Sequence, residues 1–300
     1  MSNFNTPAAE KQAAADPVLG LYALHRKEAE RLWPLIPHDV IKAGGAVAAM
    51  RTCGTYLAMR YYLDGHRELH EASWCRSRLC PMCQWRAAIE DYRAVMRAIT
   101  AYMPSSTKYI HITLTCTNVK AAHLPATITR LIDSERELYK ALRKEKVLTG
   151  RIRSVEITVG KDGRYHPHIH VMACVPEHYG THGCYLSQKR LRRIWGELIN
   201  ERDPRCFMQL IQPNHARGIA GAVAEVTKYA VKTAQLTSPE HVREIYYATK
   251  GRRLWSSAGD IKRALAMVAK EPPKDIGREG IDFIIKYYRW FMGCYKEVNG

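Results

Sequence analysis

The sequence predicts an α+β protein built on an antiparallel sheet, with elements in the order strand, helix, strand, strand, helix, strand, helix, behind a small cysteine-rich module. Three observations carry that expectation. "RIRSVEITVG" and "RYHPHIHVMACV" alternate with period two around a short Lys161-Asp162-Gly163 link, as two strands of a hairpin do. "KYIHITLTCTN" alternates Ile110, Ile112, Leu114 and Cys116, and is separated from that hairpin by a segment of helical period. Four cysteines, Cys53, Cys75, Cys80 and Cys83, precede this region and include a C-x-x-C pair.

Taken in order, residues 1–20 are Ala-rich and polar with Pro7 and Pro17, and read as a mobile arm. "LYALHRKEAERLW" has helical spacing and stops at Pro34, completing a first region, 1–45. Residues 46–104 hold the cysteines and then a helix, "QWRAAIEDYRAVMRAIT", with Trp85, Ala88, Ile89, Tyr92, Val95, Met96 and Ile99 recurring at three and four. Residues 105–235 hold the sheet. Its first helix carries the apolar stripe Ile128, Leu131, Ile132, Leu138 and Leu142. Its second, "SQKRLRRIWGELI", exposes Lys189, Arg190, Arg192 and Arg193. "CFMQLIQ" is the fourth strand, and "GIAGAVAEVTKYAVKTAQ" reads as one helix despite its glycines. Residues 236–300 are expected to form a helical extension, from "GDIKRALAMVAK" and "GIDFIIKYYRWFMGCYKEV".

The 300-residue chain carries 46 Lys+Arg against 29 Asp+Glu, a net charge of +17. That excess points to a polyanionic partner, since each phosphate neutralised by Lys or Arg releases a counterion. No apolar run of about 18 residues and no basic-then-apolar leader is present, so a cytoplasmic setting without a membrane partner is expected. In that setting the nine cysteines are expected as thiols or metal ligands.

A three-residue loop with Gly163 in the left-handed position pairs Tyr165 with Val159, His166 with Thr158, His168 with Glu156 and His170 with Ser154. Paired side chains stand ~5 Å apart on one face. Two imidazoles and one carboxylate then converge, a set suited to Mg²⁺ or Mn²⁺ with open positions. The bland alternative is a surface strand with scattered polar residues. His166 falls one step along the same face, in a DNA-facing or supporting place.

In "EVTKYAVK", Glu225, Tyr229 and Lys232 share a stripe at helical spacing. On spacing alone this is an amphipathic helix with a Glu225–Lys228 pair and a half-buried tyrosine. Cys80-Pro-Met-Cys83 has the gap of a zinc knuckle; Cys75 lies close upstream, and Cys53 completes a Cys₄ set for Zn²⁺, with His66 or His70 as other candidates for the fourth ligand. Arg76, Arg78 and Arg86 surround it and suit a phosphate-facing surface.

These landmarks resemble the rolling-circle plasmid replication initiators of the HUH endonuclease superfamily, cysteine-rich type. "CRSRLCPMCQWR", "HITLTCTN", "HPHIHVMA" and "EVTKYAVK" occur in that family's order, from about Cys53 to Lys232. The resemblance implies an HUH/RRM-like sheet and a nickase. His168 and His170 would bind the metal, with Glu156 as third ligand. Tyr229 would attack a phosphate in a single-stranded or hairpin site of the double-strand origin. A 5′-phosphotyrosine and a primer 3′-OH would result. Glu225 would activate water at termination, and Lys232 would contact phosphate or tune Tyr229. Lys189, Arg190, Arg193 and His166 would face DNA. Because no G-x-x-x-x-G-K-[ST] loop occurs, a host helicase would be needed beside the polymerase. His166 is extra to the metal motif, and the Tyr246-Tyr247 and Tyr287-Tyr288 pairs offer other tyrosines. An HUH transposase is the near alternative. A histidine-triad nucleotide hydrolase and a non-catalytic zinc DNA-binding module are the distant ones.

Overall fold

A computed structural model describes residues 16–181, 184–212, 218–228, 231–271 and 282–298. The chain divides into two compact units, and both are interleaved in sequence. One takes its described residues from within 1–87, 236–243 and 273–300; the other takes them from within 88–235 and 244–272. The protein is α+β, with two antiparallel sheets.

In the first unit, α1 (Pro17–Leu32) starts where Asp16 accepts hydrogen bonds from the Val18 and Leu19 amides, with Pro17 in the first turn. Residues 17–20, expected in the arm, therefore belong to a capped helix; the rest of that expected arm, 1–15, lies outside the described residues. Two short helices follow, α2 (His38–Ala43) and α3 (Gly45–Ala48). Two strands not expected from the sequence, β1 (Tyr56–Tyr62) and β2 (Arg67–Ala72), form a hairpin turning at Asp64-Gly65, with Gly65 at φ +82°. Helix α4 (Pro81–Tyr102) begins inside the C-x-x-C motif, and from Ala88 its residues are counted with the second unit.

In the second unit, β3 (Lys108–Thr115), α5 (Leu124–Lys144), β4 (Gly150–Val159), β5 (Tyr165–Val175), α6 (Gln188–Ile199), β6 (Cys206–Leu210) and α7 (Gly218–Thr227) follow in the expected order. Ser187 caps α6 by accepting from the Arg190 amide, and Asn200 closes it at φ +55°. Helix α8 (Pro239–Thr249), whose residues up to 243 are counted with the first unit, β7 (Trp255–Ala258) and α9 (Gly259–Val268) come next. The sheet order is β6-β3-β5-β4-β7, so β5, the histidine strand, is its centre. One face is covered by α5, whose Leu131, Leu138 and Leu142 are buried. The Trp195 indole of α6 is buried as well and donates to the Thr115 carbonyl at 2.8 Å. The other face packs Val95 and Ile99 of α4, Val223 and Val226 of α7 and Ile261 of α9 against Tyr109, Ile152, Met172 and Cys174.

The expected helix over residues 283–298 is instead a hairpin of β8 (Phe283–Phe291) and β9 (Cys294–Val298). β-Branched and aromatic residues dominate it, and Met292 and Gly293 take φ of +48° and +83°, the conformation of a two-residue type I′ turn. β8 pairs with β1, giving the first unit a sheet in the order β2-β1-β8-β9. Tyr288 is buried in it, with its hydroxyl 2.6 Å from that of Tyr61, so one of the alternative tyrosines is a packing residue. No helix among the described residues is long and apolar enough to cross a membrane.

On its α5 side, β4 brings two cations into the interior. Arg151 and Arg153 lie 2.7 and 3.1 Å from the Glu135 carboxylate, all three almost fully buried. Their guanidinium groups also donate to the carbonyls of Ser256, Leu254 and Arg253 beside β7. Removing the carboxylate leaves two buried charges facing each other. Glu135→Ala is expected to lower unfolding free energy in urea by about 3–5 kcal/mol; a loss below about 1 kcal/mol would show the arginines to be compensated elsewhere.

Asp91 on α4 is partly buried, and burial first, then neighbouring Glu90, pushes its carboxyl up to about 6. The folded state thus holds this proton to higher pH than the unfolded chain does. Its contribution is present below about 4 and is lost as pH rises through about 6. The difference in stability between Asp91→Asn and the parent is expected to grow in the variant's favour from pH 4 to 7; a pH-independent difference would refute the shift.

Candidate metal and nucleic-acid site

The turn that joins β4 to β5 sets the register of the site. Gly163 lies at φ +71°, and its amide donates to the Gly160 carbonyl at 3.0 Å. From there the ladder pairs Val159 with Tyr165, Thr158 with His166, Glu156 with His168 and Ser154 with His170, as the sequence predicts. Pro167 lies one residue past the end of the β3 ladder, which stops at Thr115 opposite His168. It therefore interrupts no hydrogen bonding with β3.

Glu156, His168 and His170 bring their donor atoms within 4.8 Å of one another. The Nε2 atoms of His168 and His170 lie 3.2 and 3.0 Å from the same carboxylate oxygen, Glu156 Oε2. The His166 carbonyl, 3.2 Å from His168 Nδ1, accepts that nitrogen's proton and assigns the lone pair to Nε2. On the far side of His170, Nδ1 faces the Thr113 hydroxyl at 3.5 Å. A nitrogen lone pair and a carboxylate oxygen so close call for a cation shared between them, and two imidazoles with one carboxylate form a donor set with positions left open. The set fits a divalent metal.

Lys232 Nζ stands 2.5 Å from the other oxygen, Glu156 Oε1. Burial works to raise the Glu156 carboxyl, but His168, His170 and Lys232 together hold it well below the usual carboxylate range. Glu225 approaches His170 Nε2 at 3.6 Å and is paired with Lys228; burial opposes its ionisation, and Lys228 overcomes that and keeps its pKa low.

The single helix expected through Gln235 ends at Thr227, whose hydroxyl turns back to the Val223 carbonyl. Glu225 and Lys232 therefore do not share a helix stripe. Lys232 reaches Glu156 from the segment beyond the helix, where Val231 bridges to Ile157 in parallel. Tyr229 lies outside the described residues.

The structure also brings in a group that the sequence pattern did not single out. His111 on β3 stacks on His170, with ring centroids 5.6 Å apart and planes 20° from parallel. Burial, and next the adjoining His170, push its pKa down to about 4, so the ring is neutral at ordinary pH. The signal was present: if Ile110, Ile112 and Leu114 face α5, His111 and Thr113 face the other way, toward the histidine row. His166 stays in that row, its ring 5.2 Å from that of His168, but it does not join the donor cluster.

Of the expected DNA-facing cations on α6, Lys189 is exposed, while Arg190 pairs with Glu145 and Arg193 with Glu197 at 2.9 Å; Arg192, between them, pairs with Asp203 at 3.4 Å.

In the other unit, Cys53, Cys75, Cys80 and Cys83 place their sulfurs within 4.8 Å of one another. Cys53, not His66 or His70, is the fourth member. The Arg76 amide donates to Cys83 Sγ at 3.2 Å and the Ser77 amide to Cys75 Sγ at 3.4 Å, and Arg76 takes φ +58° to allow this. Contacts among the thiols push Cys53 and Cys83 down and Cys75 and Cys80 up. Four sulfurs at this distance with amides aimed at them fit a tetrahedral soft cation such as zinc. Arg76 and Arg78 are exposed beside the cluster, and the Arg86 guanidinium lies 5.0 Å from the Trp74 ring centre.

A family model described as Replication protein matches residues 66–283. Among curated proteins, a "Protein rep" of Streptococcus pneumoniae serotype 2 is 31% identical over 196 residues, covering 63% of this chain and 61% of that one. A "Protein rep" of Staphylococcus aureus is 33% identical over 188 residues, covering 60% and 79%. One of Lactiplantibacillus plantarum is 28% identical over 229 residues, covering 71% and 72%. The chain spans 61% of the length of the Streptococcus pneumoniae relative and 65% of that of a further "Protein rep", of Lentilactobacillus hilgardii, to which it is 27% identical over 203 residues. No solved structure matches it.

The cysteine cluster yields a direct expectation. Purified protein carries about one tetrahedral metal ion per chain at these thiols, and Cys80→Ser loses it by elemental analysis; a parent free of metal with all four thiols titratable by Ellman's reagent would refute the assignment.

Proposed function

The chain belongs to the Replication protein family, and from that premise we propose that it is a replication initiator that nicks one strand of origin DNA through a tyrosine. The observation that carries the reading is the convergence of Glu156, His168 and His170 on one point of the sheet, beside Glu225 and Lys232. Its net charge of +17 suits a DNA substrate.

The nucleophile in this reading is Tyr229. Its Oη forms a bond to phosphorus while the bond from phosphorus to O3′ breaks, and the proton ends on the departing 3′ oxygen. The 5′ strand end is left on the tyrosine, and the free 3′-OH primes synthesis. The phosphotyrosyl bond keeps the energy of the phosphodiester, so rejoining requires no nucleotide triphosphate. Glu156, His168 and His170 would hold Mg²⁺ or Mn²⁺, which when bound would stabilise negative charge on the phosphate. The Thr113 hydroxyl and His166 carbonyl fix the two imidazole rings so that Nε2 faces the phosphate site. Lys232 balances Glu156 and stands ready for a phosphate oxygen. Glu225, held anionic by Lys228, takes the proton of water when the covalent intermediate is cleared. Cys53, Cys75, Cys80 and Cys83 would hold Zn²⁺, which would brace the first unit's loop, and Arg76, Arg78 and Arg86 are the residues this reading directs to duplex phosphates. The partners are plasmid origin DNA, with a host helicase and polymerase downstream.

The test is a covalent-adduct assay with Mn²⁺ and single-stranded oligonucleotides tiled over the DNA flanking the coding sequence. The parent is expected to form a protein–DNA adduct mapping to Tyr229. Chelator, Tyr229→Phe and His170→Ala each abolish it, by a factor of at least about 10² for the tyrosine. An adduct that Tyr229→Phe still forms would falsify the nucleophile.

A further inference from the structure

The face of the sheet that carries the metal-binding row continues onto an edge strand that the nicking reading leaves unused. Ser154, His170, Thr113 and Phe207 are consecutive partners across β4, β5, β3 and β6, so all four side chains emerge on one face. Cys206, next to Phe207, points to the opposite face and is buried. Phe207 is 55% exposed. At ~4.8 Å per strand step, its backbone stands about 10 Å from that of His170.

The surroundings of this phenyl ring are polar and basic. Gln209 follows it on the same face and is exposed. Together with His111, Gln212 and Glu225, Gln209 lines a cleft of about 400 Å³. His111 Nε2 has no hydrogen-bond partner among the described residues. Arg205, two residues before Phe207, is exposed at the start of the strand.

An isolated exposed apolar side chain is ordinary on a protein surface. This one stands on an edge strand, where charged residues or proline normally discourage pairing, and in line with a metal ligand. We propose that Phe207 is the stacking platform for the unpaired base next to the phosphate held at Glu156, His168 and His170, with Gln209 and the His111 cleft receiving that base's polar edge. The inference rests on the single-strand nicking reading and adds the feature that holds the substrate. An aromatic ring suits the task because every base presents a π-face, and Arg205 and Lys232 supply charge for the backbone on either side.

The test uses the full chain and oligothymidylate carrying 2-aminopurine at successive positions, with Phe207→Ala, Phe207→Leu and Phe207→Trp. The parent and the Trp variant are expected to quench the probe. Ala and Leu are expected to lose the quenching and to bind about 5- to 100-fold more weakly. Leu keeps the apolar bulk, so a Leu variant that binds and quenches like the parent overturns stacking, as does unchanged quenching in Ala. A parent that cleaves tiled oligonucleotides while Phe207→Ala binds them normally overturns this inference and leaves the nicking reading standing. A parent that neither binds nor cleaves single strands overturns both.

Discussion

The register between β4 and β5 is the constraint on which the candidate site depends. Side chains alternate across a sheet, so a slip of one residue would turn Glu156 away from His168 and His170. The turn at Lys161-Asp162-Gly163 prevents that slip locally, through a left-handed glycine and the Gly160–Gly163 hydrogen bond. Burial prevents it globally. Val155, Ile157, Ile169 and Val171 are buried toward α5, and a slip would exchange them with the polar row.

The same face of β5 serves two purposes along its length. Met172 and Cys174 enter the apolar cluster beneath α4, α7 and α9, and His170 and His168 begin where that cluster stops. The donors are thus anchored by packing at one end and open at the other. Glu225 is supplied by the last turn of α7, whose Val223 and Val226 are fixed in the same cluster. The rigid core therefore sets the distance from Glu225 to His170, while Lys232 reaches Glu156 through the bridge at Val231.

Local patterns made the central sheet legible. Period-two runs and a three-residue Gly turn gave both the hairpin and its register, and C-x-x-C with Cys75 gave the thiol cluster. Long-range pairing was not legible. The 283–298 segment is rich enough in apolar residues to imitate a helix stripe, and only pairing with β1 makes its hairpin useful. The spacing of Glu225 and Lys232 suggested one helix face, yet the helix stops at Thr227 and tertiary contacts deliver the lysine. His111 was hidden because the apolar positions of β3 dominate its pattern, and its alternate face becomes informative only once β5 is known to lie beside it.

The pairing of β1 with β8 has a temporal side. About 220 residues separate Tyr62 from Phe283, its partner. At a synthesis rate of roughly 5–20 residues per second, β1 leaves the ribosome on the order of ten seconds or more before its neighbour exists. Its hairpin with β2 can form at once, but one edge must wait, and so must the burial of Leu57 and Met59 beside Tyr288. The intervening unit has local pairings of its own and can form during that interval. Completion of the first sheet is consequently a late event in the life of the nascent chain, and a prematurely terminated product would display an unmatched strand edge to the quality-control machinery of the cell.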